Sequence, residues 1–228
     1  MSIPLAHYNR LAEEWGNRPH YRGAVVSVHG ANTRGAWQKW ISPTFQDNYI
    51  RHVAVDYGTM WVGLFRTSVH RRVAGEIVNA YMAQLQRHER VSVLAHSMGT
   101  LAVGSSFESF PDLNLHRVVF CGSILRCDYP WLELAHDHRV DRVLNETAEN
   151  DHWVRYGSRW VPGAGPSGVR GFRDGVPVVI NRAHGHTRHS GLLHQLHLEK
   201  TWVPFFLGQD PTEAGKRADA RSGDSHGV

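Results

Sequence analysis

A serine hydroxyl is a weak nucleophile. It becomes useful only when a neighbouring base takes its proton and an acid orients that base. This chain offers a serine placed for such work at Ala95-His96-Ser97-Met98-Gly99. The apolar run Val91-Ser92-Val93-Leu94-Ala95 precedes Ser97, and Gly99-Thr100-Leu101-Ala102-Val103-Gly104 follows it. The first run has the length and composition of a parallel strand buried on both faces. The second opens a helix with no spacer. A strand enters, one serine is presented at the corner, and a helix leaves. Small residues two before and two after the serine are then a steric need, because the two backbones pack closely and the serine backbone is strained. The bland alternative is a serine that caps a helix. The helix amides behind this serine would also face an oxyanion, where a tetrahedral intermediate needs donors.

The acid and the base are sought after Ser97, each just past a strand. Val143-Leu144-Asn145 reads as a strand end, and Asp151 stands before the helical start His152-Trp153-Val154. Asp151 is the expected acid, with Glu149, Glu146 and Asp128 as competitors and a helix-capping aspartate as the plain alternative. The last strand leads into His184-Gly185-His186-Thr187-Arg188-His189. His189 is the expected base, heading a final helix that turns Leu192, Leu193, Leu196 and Trp202 inward. His186 is the second choice and His184 the third. Two backbone amides should bind the oxyanion: Met98, directly after the nucleophile, and Ala31 in the loop His29-Gly30-Ala31-Asn32, with Asn32 close behind.

These groups need a scaffold. The strands expected are Ala24–Val28, His52–Asp56, Val91–Ala95, Arg117–Cys121, Arg142–Asn145 and Val176–Ile180. Helical spacing runs from Gly35 to Asn48 and from Thr67 to His88, the second with the stripe Val69, Val73, Ile77, Tyr81 and Leu85. Long or helical connections between strands imply an α/β fold, a doubly wound, mostly parallel sheet. Sites in such sheets lie beyond the carboxyl ends of the strands, which is where all the named residues fall. Segment 157–175 is rich in glycine and proline and is expected as a loop near the site mouth. Residues 1–22 are expected to wrap the surface, 23–208 to form the domain, and 209–228 to be a disordered tail.

At 228 residues the chain suits one domain with a full core. The net charge of +4 is spread along the chain rather than massed, so no nucleic-acid partner is expected. Cys121 and Cys127 form neither a disulfide framework nor a metal knuckle. The N-terminus lacks the charged and apolar regions of a signal peptide, and no apolar run reaches the length of a membrane span. A cytoplasmic location is expected, with no integral membrane segment.

The elbow at Ser97, the His29-Gly30 loop, Asp151 and the terminal histidines together resemble the α/β-hydrolase superfamily, in particular its small esterase and lipase-like members. The resemblance runs from about Val25 to Leu207. His29-Gly30-Ala31-Asn32-Thr33-Arg34-Gly35-Ala36-Trp37, Asp56-Tyr57-Gly58, His189-Ser190 and Trp202-Val203-Pro204-Phe205-Phe206-Leu207 are similar to a set of bacterial hydrolases. That similarity favours His189 over His186. It departs from the superfamily in two ways: Ala95 replaces the first elbow glycine, and the front strands are missing. It implies a reduced sheet of about six strands without a large cap domain, the pocket being covered by the 157–175 loop and the Met60-Trp61 region.

The activity implied is cleavage of small-molecule or lipid carboxylic esters by Ser97, His189 and Asp151 through an acyl-enzyme, with no cofactor. An acyltransferase or thioesterase would use the same residues, and a non-catalytic binding protein would share the fold. The remaining rival is a metal-dependent hydrolase built on His184, His186 and His189. Arg188 stands where such sites carry an aspartate, and the motif falls too near the chain end, so no metal is expected there. Trp37, Trp61, Trp131 and Trp153 could line an apolar acyl pocket or serve as core. His194 and His197 are expected on the surface of the last helix.

Overall fold

The computed structural model describes residues 21–31, 35–58, 67–85 and 90–211, with the backbone alone for 67–70. The expected surface segment 1–22 and tail 209–228 therefore lie almost wholly outside the described residues, as do Asn32 and the Met60-Trp61 region.

Among the described residues six strands form one sheet: β1 Gly23–Val28, β2 Ile50–Val55, β3 Val91–His96, β4 Leu115–Cys121, β5 Val140–Ala148 and β6 Val179–His184. Their order is β2-β1-β3-β4-β5-β6 and every pairing is parallel. The chain winds outward from β1 to β2, then crosses back to place β3 on the other side of β1. That reversal opens a crevice between the carboxyl ends of β1 and β3. Gly30 follows β1 and Ser97 follows β3, so the crevice lies between them.

Side chains alternate along each strand and feed two cores. On one face Val26, Val28, Val93, Ala95, Val118 and Phe120 pack with helix α2 (Thr67–Leu85) and helix α3 (Met98–Ser109). On the other, Val25, Leu94, Val119 and Leu144 pack with helix α1 (Ala36–Asp47) and the last helical segment. Both faces of a parallel sheet are thus covered. Among the described residues no helix is long and apolar enough to cross a membrane.

Several expectations are corrected in detail. β6 begins at Val179, not Val176, and runs to His184. Pro177 has no N–H to give a ladder, and the Val179 amide instead closes a turn onto the Val176 carbonyl at 3.0 Å. In α2, Val73, Ile77 and Tyr81 are buried, but Leu85 is 41% exposed and Gln84 is buried in its place. A strict spacing of four drifts about 40° per step around a helix of 3.6 residues per turn, so the inward face passes from Tyr81 to Gln84. The final helix starts at Gln195 rather than at His189, as a short α6 (Gln195–His197), a wider turn Leu198–Trp202, and α7 (Val203–Phe206). Leu198 and Trp202 are buried, whereas Leu196 is exposed and His197 faces inward. Asp210, expected in a free tail, lies 2.7 Å from Arg117 and 3.0 Å from Arg142.

Candidate active site

Ser97 has φ 54° and ψ −124°, a backbone conformation that costs free energy in any residue but glycine. The surroundings hold it there. Its amide donates to the Cys121 carbonyl at 3.1 Å, and its carbonyl accepts from the Thr100 amide at 2.9 Å and the Thr100 hydroxyl at 2.7 Å. The Thr100 hydroxyl in turn accepts from the Ile124 amide at 3.0 Å, tying the elbow to the exit of β4. Gly99 explains the steric need behind the serine: a Cβ there would stand 2.6 Å from the Val28 carbonyl oxygen. Ala95 is fully buried in β3 and its methyl group is accommodated.

His189 lies in the loop after β6. Its Nε2 is 2.9 Å from Ser97 Oγ and its Nδ1 is 2.7 Å from Asp151 Oδ2. A carboxylate only accepts, so Nδ1 carries the proton and Nε2 is left to accept from the serine hydroxyl. Asp151 is fully buried and serves two neighbours, because its Oδ1 accepts from the Val154 amide at 2.9 Å. One aspartate therefore both meets the His189 ring and caps the helical turn that follows it. Glu149 is exposed, Asp128 pairs with Arg126, and Glu146 is bound elsewhere. His186 is exposed, and it is His189 that the loop brings to Ser97.

Two residues that the sequence reasoning missed place the His189 ring. Gly122, at φ 59°, gives it room: a Cβ there would stand 3.0 Å from ring atoms of His189. His96, the elbow residue before Ser97, lies with its ring centroid 4.7 Å from that of His189. His96 Nε2 is 3.2 Å from the His189 carbonyl oxygen and 3.4 Å from Ser190 Oγ. Burial, reinforced by the neighbouring His189, pushes the His96 pKa down to about 3. A neutral ring with its proton on Nε2 can donate to the His189 carbonyl and adds no charge beside the base. A buried histidine next to the serine was the only signal of this in the sequence.

The His29-Gly30-Ala31 loop after β1 borders the crevice. A Cβ on Gly30 would lie 2.8 Å from Ser97 Cβ and 3.3 Å from Ser97 Oγ, so only glycine lets the backbone pass this close. His29 stacks on Tyr57 at 4.0 Å and 15°, the Tyr57 hydroxyl donates to the His29 carbonyl, and His29 Nδ1 lies 2.8 Å from the Gly30 carbonyl. Tyr57 therefore fixes the loop that carries Gly30 past Ser97. Met98 is the first residue of α3, and first-turn amides have no partner within their own helix.

The glycine-rich segment 157–175 is laid against the exit of β4. The Gly168 amide donates to the Ser123 carbonyl at 2.7 Å and Ser167 Oγ to Ser123 Oγ at 2.8 Å. A Cβ on Gly168 would stand 2.4 Å from the Ser123 amide nitrogen, which accounts for the composition. A cleft of about 620 Å³ opens between this segment and α3, lined by Leu101, Ser105, Leu125, Tyr129 and Pro162. Leu101 is one helical turn from Ser97. Trp131 and Trp37 belong to the core, and Trp153 is exposed.

No protein-family model matches the chain, and no curated protein matches it. Solved structures do. One belongs to the metagenome-derived lipolytic enzymes LipS and LipT, at 14% identity over 82% of this chain and 93% of that one, with a TM-score of 0.55. Another is TT1662 from Thermus thermophilus, at 13% identity over 82% and 88% of the two chains, with a TM-score of 0.54. Among the described residues there are six parallel strands, helices on both faces and no large cap, and this chain has the α/β-hydrolase fold.

Proposed function

We propose that the protein is a serine hydrolase that cleaves carboxylic esters. The observation that carries this is the continuous chain from Asp151 through His189 to Ser97, at 2.7 and 2.9 Å, ending on a serine held at positive φ. Ser97 Oγ attacks the ester carbonyl while His189 Nε2 takes its proton, and the Asp151 carboxylate stabilises the imidazolium. The oxyanion is bound by the amides of Met98 and Ala31. The tetrahedral intermediate collapses, His189 returns the proton to the departing alcohol, and an acyl group remains on Ser97. A water, deprotonated by the same ring, then releases the acid and restores the serine. The low identity of the lipolytic LipS and LipT structure leaves it an analogy of scaffold. It supports an ester of a small molecule or lipid as the substrate. The two free thiols, Cys121 and Cys127, support a reducing compartment such as the cytoplasm.

The test is intact-mass labelling with a fluorophosphonate on the wild type and on Ser97→Ala, with and without chelator, alongside hydrolysis of a series of p-nitrophenyl esters. One adduct on the wild type, absent from the mutant and present with or without chelator, is expected. A well-folded wild type that takes no label, or a mutant that still turns over esters, overturns the assignment.

A further inference from the structure

Glu146, His184 and His197 take no part in the reaction above, yet they converge. Glu146 sits near the end of β5, His184 ends β6, and His197 closes α6. Glu146 is a fully buried carboxylate, set between buried Asn145 and Thr147 in the strand. Its Oε2 lies 2.6 Å from His184 Nε2, and its Oε1 lies 2.9 Å from His197 Nε2 and 3.1 Å from Trp202 Nε1. One ligand atom from each of the three residues lies within 4.8 Å of the other two. The two imidazoles meet at 79°, so they approach the carboxylate from different directions.

Both imidazoles and the indole N–H thus face the same buried carboxylate, so the three candidate ligands already point at one another. With their protons moved to Nδ1, both rings would direct Nε2 lone pairs at a point in front of that carboxylate. Two imidazole nitrogens and one carboxylate oxygen are a ligand set of borderline character. It suits Zn²⁺ and its neighbours, and it has too few oxygens for Ca²⁺ or Mg²⁺.

We propose that Glu146, His184 and His197 bind a divalent transition-metal ion of the Zn²⁺ class. Ligand atoms at about 2.0–2.2 Å around a tetrahedral centre stand roughly 3.3 Å apart. The trio therefore has to open by about half an ångström or slightly more. The His184 side chain is 11% exposed, which provides a way in and room for a water as fourth ligand. Trp202 continues to donate to Oε1 and orients the carboxylate from behind.

The site's position gives it a task. Residues 185–196, between the two histidines, include His189 and Ser190. An ion at the foot of this segment joins its two ends to β5 and restrains the loop that presents the base. The role is structural: the ion would touch neither Ser97 nor His189, so its loss slows fluorophosphonate labelling of Ser97 without abolishing it.

The experiment uses the full chain without an affinity tag, stripped with chelator and checked by circular dichroism. Zn²⁺ binding is measured by titration calorimetry and Co²⁺ by its visible absorption, in the wild type, His184→Gln and His197→Gln, with His186→Gln and His194→Gln as controls. Glutamine keeps an N–H for the Glu146 carboxylate, so the variants can fold. The wild type and controls are expected to take up one equivalent and show the intense band of tetrahedral Co²⁺, and both ligand variants to lose it. Zn²⁺ at a hundred times its Kd should raise the wild-type melting temperature by about 5–10 °C and leave the ligand variants unmoved. A folded, stripped wild type that binds neither ion stoichiometrically overturns the proposal, as do ligand variants that bind like the wild type. Since fluorophosphonate labelling reads Ser97 alone, failure here is separable from failure of the hydrolase assignment.

Discussion

Replacing Gly99 by alanine tests whether the elbow is as tightly built as its geometry implies. The new Cβ would meet the Val28 carbonyl oxygen at 2.6 Å and the His29 carbonyl oxygen at 2.7 Å, where ordinary contact begins at 3.4 Å. Both obstacles are backbone, so neither can turn aside as a flexible side chain would. Relief requires β1 and α3 to part by roughly three-quarters of an ångström. Overpacking of this kind costs about 1–3 kcal/mol, and the rigidity of the obstacles argues for the upper half of that range. Alanine's better helix propensity returns about 0.5–1 kcal/mol. The net loss is about 1–2.5 kcal/mol, or roughly 2–10 °C in melting temperature for a chain of this size. Gly75, in the middle of α2, is the control, because a Cβ there meets nothing within 4 Å. Gly75→Ala should raise the melting temperature by about 1–4 °C. The His29 carbonyl belongs to the loop that carries Ala31, so Gly99→Ala should also slow ester turnover by about ten- to a hundredfold. Differential scanning calorimetry on the three proteins checks the first part and fluorophosphonate labelling rates the second. A Gly99→Ala protein as stable as Gly75→Ala would refute the close-packing argument.

Asp151→Asn preserves the oxygen that accepts from the Val154 amide at 2.9 Å, so the variant should fold. The amide cannot hold the imidazole in the required tautomer, and turnover should fall by about 10⁴; a loss under tenfold in kcat/KM would leave Asp151 only its capping role. Acid should destabilise the protein before its carboxylates titrate. Burial lowers the pKa of His52 from 6.5 to about 4 and, with the adjoining His189, that of His96 to about 3, against the raising effect of Asp151. The unfolded chain then binds more protons than the folded one below about pH 6.5, so stability is flat above that pH and falls as pH drops towards 4, by up to about 2.7 kcal/mol per unit for two groups. Urea midpoints between pH 8 and 4 measure this, and midpoints that rise on acidification would contradict it.

The elbow was legible because its chemistry is local. A buried strand, a lone serine, two small flanking residues and an immediate helix are adjacent in the chain, and each constrains the next. The order of the strands followed for a related reason: long connections between short apolar runs leave a parallel sheet as the simplest way to bury both faces. The choice among His184, His186 and His189 was not local. All three fall within six consecutive positions, starting from the last residue of β6. Which one reaches Ser97 depends on Gly122 yielding space and on His96 binding the loop carbonyl, contacts made across roughly seventy and ninety residues of chain.

His197 shows where periodicity misleads. Gln195, Glu199 and Lys200 surround it with exposed polar residues, so the stretch reads as a solvated helix face. The inward face is nevertheless set by Leu198, Trp202 and Phe205, and His197 falls beside it. The signal that could have located it lies fifty residues earlier. Glu146 continues the run Val143-Leu144-Asn145 in a strand buried on both faces, and a carboxylate there has to find donors or a cation. Asking what neutralises Glu146, rather than what each histidine faces, leads to His184 and His197 together. That question also separates the two histidine functions of this chain. His189 meets a carboxylate on one nitrogen and a hydroxyl on the other, an arrangement for moving a proton. His184 and His197 both spend Nε2 on a single carboxylate, an arrangement for holding one.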